Sequence, residues 1–171
     1  DIAIERYLTN VRHALLDCVA AGESAEADAS LLDFYGALAR QCFINEYVFA
    51  VSEAEHAAAS RLRETLTADL QSGTGISALR LAAAASYFPL HTIDGHEALL
   101  ERPNEQRWPA ALEAVLTQQI REPAAERDLR AGIPALTPIE DGVSLMVRQQ
   151  YEENPYPRWV KAASLNKASS I

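Results

Sequence analysis

Four histidines, two cysteines, a two-glycine turn and a pair of adjacent glutamates are the residues whose types could carry chemistry in this chain. His13, His56, His91 and His96 would be the nitrogen ligands of a metal site. A helical zinc site sets two of them four apart around a glutamate, and no pair here has that spacing. His91 and His96 flank Asp94 and read as loop histidines. Cys42 sits in Gln41-Cys42-Phe43, inside an apolar helical pattern where a thiol is inert. Cys18 falls on a similar pattern, so the two cysteines read as small buried hydrophobes of a reducing, cytoplasmic protein. A Gly-x-Ser-x-Gly nucleophile elbow is missing from the sequence. Gly73-Thr74-Gly75 has no strand before it, so it fits neither a dinucleotide fingerprint nor a phosphate loop. Glu152 and Glu153 are neighbours on a helix and point to different sides, so they make no acid–base pair. The residues alone predict no catalytic, cofactor-binding or metal-binding group.

Two polar constellations remain. Gln41, Asn45 and Glu46 interrupt an otherwise apolar helix, and buried polar groups need partners. Asn45 or Glu46 is expected to anchor another part of the domain, with Arg158 or the backbone of the proline segment as the partner. The second constellation is Tyr151-Glu152-Glu153-Asn154-Pro155-Tyr156-Pro157-Arg158-Trp159. Pro155 and Pro157 fix an extended path and restrict the residues before them. Tyr156 and Trp159 then have no helix of their own and must find a surface. A stiff aromatic arm loses little entropy on docking, so it is expected either to pack on its own domain or to clasp a neighbouring one.

The elements that would position these groups are helices. Ile4, Tyr7, Leu8, Val11, Leu15, Cys18 and Val19 recur at three- and four-residue steps, with Glu5, Arg6, Arg12, His13 and Asp17 on other faces. Gly22 ends that helix. A second helix is predicted over 25–48, apolar on most sides and therefore central. Ser52-Glu53-Ala54-Glu55 is a capping box that opens a third, with Ala58, Leu62, Leu66 and Leu70 inward. A fourth spans 76–88 around Ala82 to Ala85, whose small side chains permit close approach of a partner helix. Asp94 with Glu97 caps a short helix through Leu100. Pro109 and Pro123 suit the first turns of two more, the first turning Leu112, Val115, Leu116 and Ile120 inward. Thr137-Pro138-Ile139-Glu140 starts the last, with Met146, Val147 and Tyr151 inward. No stretch alternates in the manner of a strand. The expectation is an all-α fold of about seven or eight helices: a single helical domain over 1–154, then an extended C-terminal arm and linker over 155–171.

Composition agrees with that class. The 171 residues are 49% hydrophobic and 23% charged, as in globular domains. The net charge of −9 disfavours nucleic acid as a partner. No apolar run is long enough for a membrane span. Charge is uneven: from Pro155 onward there are Arg158, Lys161 and Lys167 and no acid, leaving 12 cations against 24 acids in residues 1–154. The chain begins at Asp1 without Met and reads as part of a longer protein.

Val147 to Trp159, VRQQYEENPYPRW, resembles a segment of bacterial proteins that join tetratricopeptide repeats to a class I S-adenosylmethionine-dependent methyltransferase domain. Arg40 to Phe49 (RQCFINEYVF) and Arg121 to Ser144 resemble the same proteins, in the same order. In that family the repeats come first, a helical region follows, and the methyltransferase fold comes last. The resemblance implies that this chain is the middle region, with S-adenosylmethionine bound by the parent protein and no cofactor held here. It implies a non-catalytic connector that docks the methyltransferase domain of its own chain through the arm and is inactive alone. A protein substrate would be met through upstream repeats. The alternative is a stand-alone helical interaction or self-association module, with the Ala82–Ala85 helix as the contact.

Overall fold

A computed structural model describes residues 2–22, 28–101, 103, 107–133 and 142–153. All its regular structure is helical, as expected. The chain divides into a unit of residues 1–131 and a second of 132–171. The expected boundary at Asn154 and the arm after it lie outside the described residues.

The first unit runs α1 (Ile2–Ala20), α2 (Ala29–Ile44), α3 (Glu53–Ser72), α4 (Ala78–Tyr87), two 3-10 turns (Leu90–Thr92 and His96–Leu99), then α5 (Ala110–Leu116), a π turn (Thr117–Arg121) and α6 (Glu122–Ala131). Side-chain caps set three of the starts. Asp28 accepts from the Leu31 amide at 2.7 Å, Ser52 from Glu55 at 3.1 Å and Ser77 from Arg80 at 3.3 Å. Gly73 ends α3 in the left-handed region at φ 71°, which a residue with a Cβ adopts at a cost. The short helix expected after Asp94 is instead a 3-10 turn entered through Gly95 at φ 81°.

The central helix is α4, not α2. Every residue from Leu81 to Tyr87 is buried, and α1, α2, α3 and α5 all pack on this helix. Four alanines with no exposed surface let four neighbours come close, since each presents only a methyl group. They are therefore spent inside the core and offer no face to a partner chain. By contrast α2 keeps an outer side, where Leu31 and Phe34 are exposed. It buries Leu38, Ala39 and Cys42 against α4 and α5.

Where α2 meets α5, Gly36 is required by space. A methyl group built there would stand 2.9 Å from the Ala111 Cβ and 3.2 Å from the Ala111 carbonyl oxygen. Gly36→Ala should therefore destabilise by about 1–3 kcal/mol despite alanine's better helix propensity. Urea denaturation reads the sign directly: a variant more stable than the parent would mean that α2 and α5 can move apart freely.

One continuous rod runs from Ala110 to Ala131, where sequence reading expects two helices. Pro123 stands in the first turn of α6, as expected, but α6 follows the π turn without a break in the chain. The missing N–H of Pro123 leaves the Gln119 carbonyl without its helical donor, and the π turn widens the rod just before it. The ring nitrogen Nδ1 of His91 supplies the donor instead, 3.0 Å from that oxygen. A carbonyl can only accept, so His91 carries its proton on Nδ1. His91 is thus a structural donor.

In the second unit α7 (Gly142–Glu153) is the described element. Met146, Val147 and Tyr151, expected to face inward, are exposed. The expected start at Thr137 lies outside the described residues.

Candidate functional site

The polar groups best placed for chemistry converge behind the α2–α3 connection, and sequence reading assigned one of them, Arg12, to the surface. Arg12 is only 1% exposed, against the expectation that it lies on a polar face of α1. It stands four residues after Leu8 and four before Leu16, on the buried stripe, so its position pulls it inward whatever its charge. Its Nη2 meets Glu55 Oε1 at 3.1 Å. Glu55 opens α3 as the expected cap sequence demands, but its carboxylate does not close the box. It turns into the core to Arg12 and accepts the Tyr87 hydroxyl at 2.6 Å.

The guanidinium lies between two rings, 4.5 Å from the centroid of Phe49 and 4.5 Å from that of Tyr87. Arg12 Nε has no hydrogen-bond acceptor among the described residues; aromatic faces surround it instead. Burial, and then the bond to Glu55, push the Tyr87 hydroxyl well above its ordinary pKa, so it stays protonated and donating. The cluster is a closed charge pair with an aromatic clamp, and all of its strong bonds run between its own members.

Cys42 is fully buried nearby. Burial pushes its thiol up to about 12, with the Arg12 charge opposing the shift, so it is a poor nucleophile at neutral pH. The sign of the linkage follows. Cys42 ionises near 9 when unfolded and near 12 when folded, so its contribution is complete below pH 9 and is lost as pH rises through that window. Tyr87 is shifted in the same direction. Stability should fall above pH 9, and Cys42→Ala should flatten part of the fall. A thiol-labelling time course is the second readout: half-exposed Cys18 reacts in the native protein and Cys42 only on unfolding. Two equally fast thiols would contradict the burial.

In front of Phe49 lies a groove of about 320 Å³, with Ile4 and Leu8 of α1 facing Gln41 and Asn45 of α2. Gln41 and Asn45, singled out in the sequence, thus share one surface. Asn45 is exposed, and its Nδ2 donates to the Val48 carbonyl at 2.9 Å, so what it anchors is its own turn. Glu46 and Tyr47 follow with φ 51° and 58°, two successive non-glycine residues in the left-handed region. The Tyr47 hydroxyl holds the strained turn to the Ala85 carbonyl at 3.3 Å. Of the second constellation, Tyr151 is exposed on α7, Glu152 and Glu153 lie in the same helix, and Asn154 to Trp159 lie outside the described residues. The expected Glu46–Arg158 pair falls outside them too.

Sequence reading also missed Gln119, a side chain with no exposed surface. Its Nε2 donates to Ala85 O (3.0 Å) and Ala39 O (3.2 Å), and its Oε1 accepts from Leu90 N (3.2 Å). Position 89 is proline, so Ala85 O lacks a helical donor and Gln119 provides one. The signal was present: Gln119 stands four residues after Val115 and three after Leu116, on the inward stripe of α5.

No group of three or more His, Cys, Asp or Glu gathers as metal ligands among the described residues. His91 is engaged by Gln119, and His96 Nδ1 lies 2.9 Å from the Ile93 carbonyl. The cradle for S-adenosylmethionine that the family resemblance implies is a glycine-rich turn after a strand. Gly73 here caps one helix before another, and no strand is present among the described residues, so they do not fit that cofactor. No described helix is long and apolar enough to cross a membrane. Comparisons with protein-family models, with curated proteins and with solved structures find no match.

Proposed function

We propose that this chain is the helical connector of an S-adenosylmethionine-dependent methyltransferase, a non-catalytic region that docks the catalytic domain through the segment Pro155–Trp159. The observation that carries the reading is the family-like stretch Val147–Trp159, joined in order to Arg40–Phe49. The second stretch supports it through its geometry: it forms the end of α2, the strained turn and a wall of the α1–α2 groove. A turn held in a costly conformation beside an exposed groove suits a docking surface. The charged core supports a scaffold role, because Arg12, Glu55 and Tyr87 are occupied with one another.

Calorimetric titration of S-adenosylmethionine tests the reading, into this chain and into a parent chain carrying about 200 residues more downstream, a domain's length. Binding to the longer chain alone is the expected result, and loss of turnover or melting temperature on truncation at Asn154 is the second. Binding to neither would defeat the proposal.

A second reading is favoured by one observation. Ile4, Tyr7, Leu31, Phe34 and Val48 are all exposed on or beside α1 and α2, more large apolar surface than a closed monomer needs there. On that reading the face binds a protein partner or a second copy. Sedimentation across concentrations separates the two: self-association that Tyr7→Ser with Phe34→Ser abolishes belongs to the interaction module.

A further inference from the structure

A second groove, of about 390 Å³, lies at the C-terminal end of α1. Its floor is apolar, built by Leu16 and Val19 of α1 with Ala58 and Leu62 of α3. Its rim carries two guanidiniums, Arg61 from α3 and Arg80 from α4, and none of the described residues that line it is acidic. That is unusual in a chain with 24 acids against 15 cations. The two arginines differ in state. Arg80 is held by Asp69 at 2.6 Å, which fixes its position. Arg61 is exposed and pairs with no carboxylate among the described residues.

The α1 end bordering the groove is the negative end of its dipole, which the two guanidiniums must outweigh. The Asp17 and Val19 carbonyls of α1 are already capped by the amides of Ala21 and Gly22, at 2.9 and 3.2 Å. The volume falls in the range of small-molecule pockets, roughly 300–1,000 Å³, which typically combine an apolar lining with a few polar groups that orient the ligand. A guanidinium fork matches a carboxylate or sulfonate in two parallel bonds.

We infer that this groove binds a small amphipathic anion, a carboxylate or sulfonate whose apolar body lies on Leu16, Val19, Ala58 and Leu62 while its head meets Arg61. Charge complementarity selects the occupant: an ammonium on the same body would meet the Arg61 cation with no carboxylate beside it among the described residues. The inference stands apart from the connector reading, since it uses none of that reading's residues.

The test is fluorescence titration with 8-anilinonaphthalene-1-sulfonate. One saturable site is expected, from which decanoate displaces the dye and decylammonium does not. Arg61→Gln should weaken binding about tenfold, as loss of a charged hydrogen bond does. Arg61→Glu should abolish it, and both variants should keep the parent melting curve because Arg61 is exposed. Dye binding that survives Arg61→Glu, or that both detergents displace equally, overturns the inference. Displacement by a glutamate-rich amphipathic peptide but not by decanoate also overturns it, and gives the groove to a protein partner.

Discussion

Glu55→Ala is expected to cost about 3–5 kcal/mol, a large share of the roughly 5–15 kcal/mol that holds an ordinary domain folded. The substitution removes both the partner of Arg12 and the acceptor of the Tyr87 hydroxyl. A guanidinium with 1% exposure is then left with two aromatic faces and no counter-charge. Burying an unpaired charge costs far more than forming the pair ever returned. The asymmetry gives a sharper test than the single variant. Arg12→Met with Glu55→Leu removes both charges and keeps the volume, and it should recover most of the loss. Unfolding free energies of Arg12→Met, of Glu55→Leu and of the double variant form a cycle. A double variant as damaged as Glu55→Ala alone would mean that the cluster acts through packing and not through charge.

Gln119→Leu should cost about 3 kcal/mol or more, although leucine fills nearly the same volume. Three main-chain groups would lose their partner: Ala39 O, Ala85 O and Leu90 N. Each buried orphan costs about 1–3 kcal/mol. Ala39 O keeps its place in α2, which softens one of the three. Ala85 O keeps only the longer bond from Tyr47. Gln119→Glu should be worse at neutral pH, because a carboxylate cannot donate to the two carbonyls that Nε2 now serves. It should improve as pH falls and the carboxyl regains a proton. Equal stability of the leucine and glutamate variants at pH 7, each within 0–1 kcal/mol (about the worth of a surface pair) of the parent, would refute the clamp.

Both sites show where sequence patterns mislead. The helices were legible because their starts are local: Asp28, Ser52 and Ser77 cap the amides that follow, and the inward stripe of α5 at Leu112, Val115 and Leu116 has an unbroken period. Hydropathy placed Arg12 outside, and the cap pattern gave Glu55 a local role, because neither carries information about a partner 43 positions away. Position on the stripe was the better guide, and the same rule would have found Gln119. The order of centrality was misjudged because α2 is richer in large apolar residues. Burial from all sides favours the small residues of α4, which let neighbours approach. Pro123 does lie in the first turn of a helix; what the pattern did not reveal is that the π turn joins that helix to α5 with no loop between them. For the candidate groove, Gln41 and Asn45 share a wall; Asn45 tethers its own turn, and the expected anchor to Arg158 or the proline segment lies outside the described residues.

The bond from the Leu90 amide to Gln119 Oε1 has a consequence for exchange with solvent. Leu90 opens a 3-10 turn, where local fluctuation ordinarily releases amide protons quickly. The neighbouring amides of Thr92 and Ile93 donate within that turn, to the Pro89 and Leu90 carbonyls. The Leu90 proton is instead gated by a side chain from the π turn, 29 residues on, with no surface of its own. It should exchange in deuterium only when α4 and the π turn separate, as slowly as the central amides of α4. One proton outside any α-helix would then report the opening of the whole first unit.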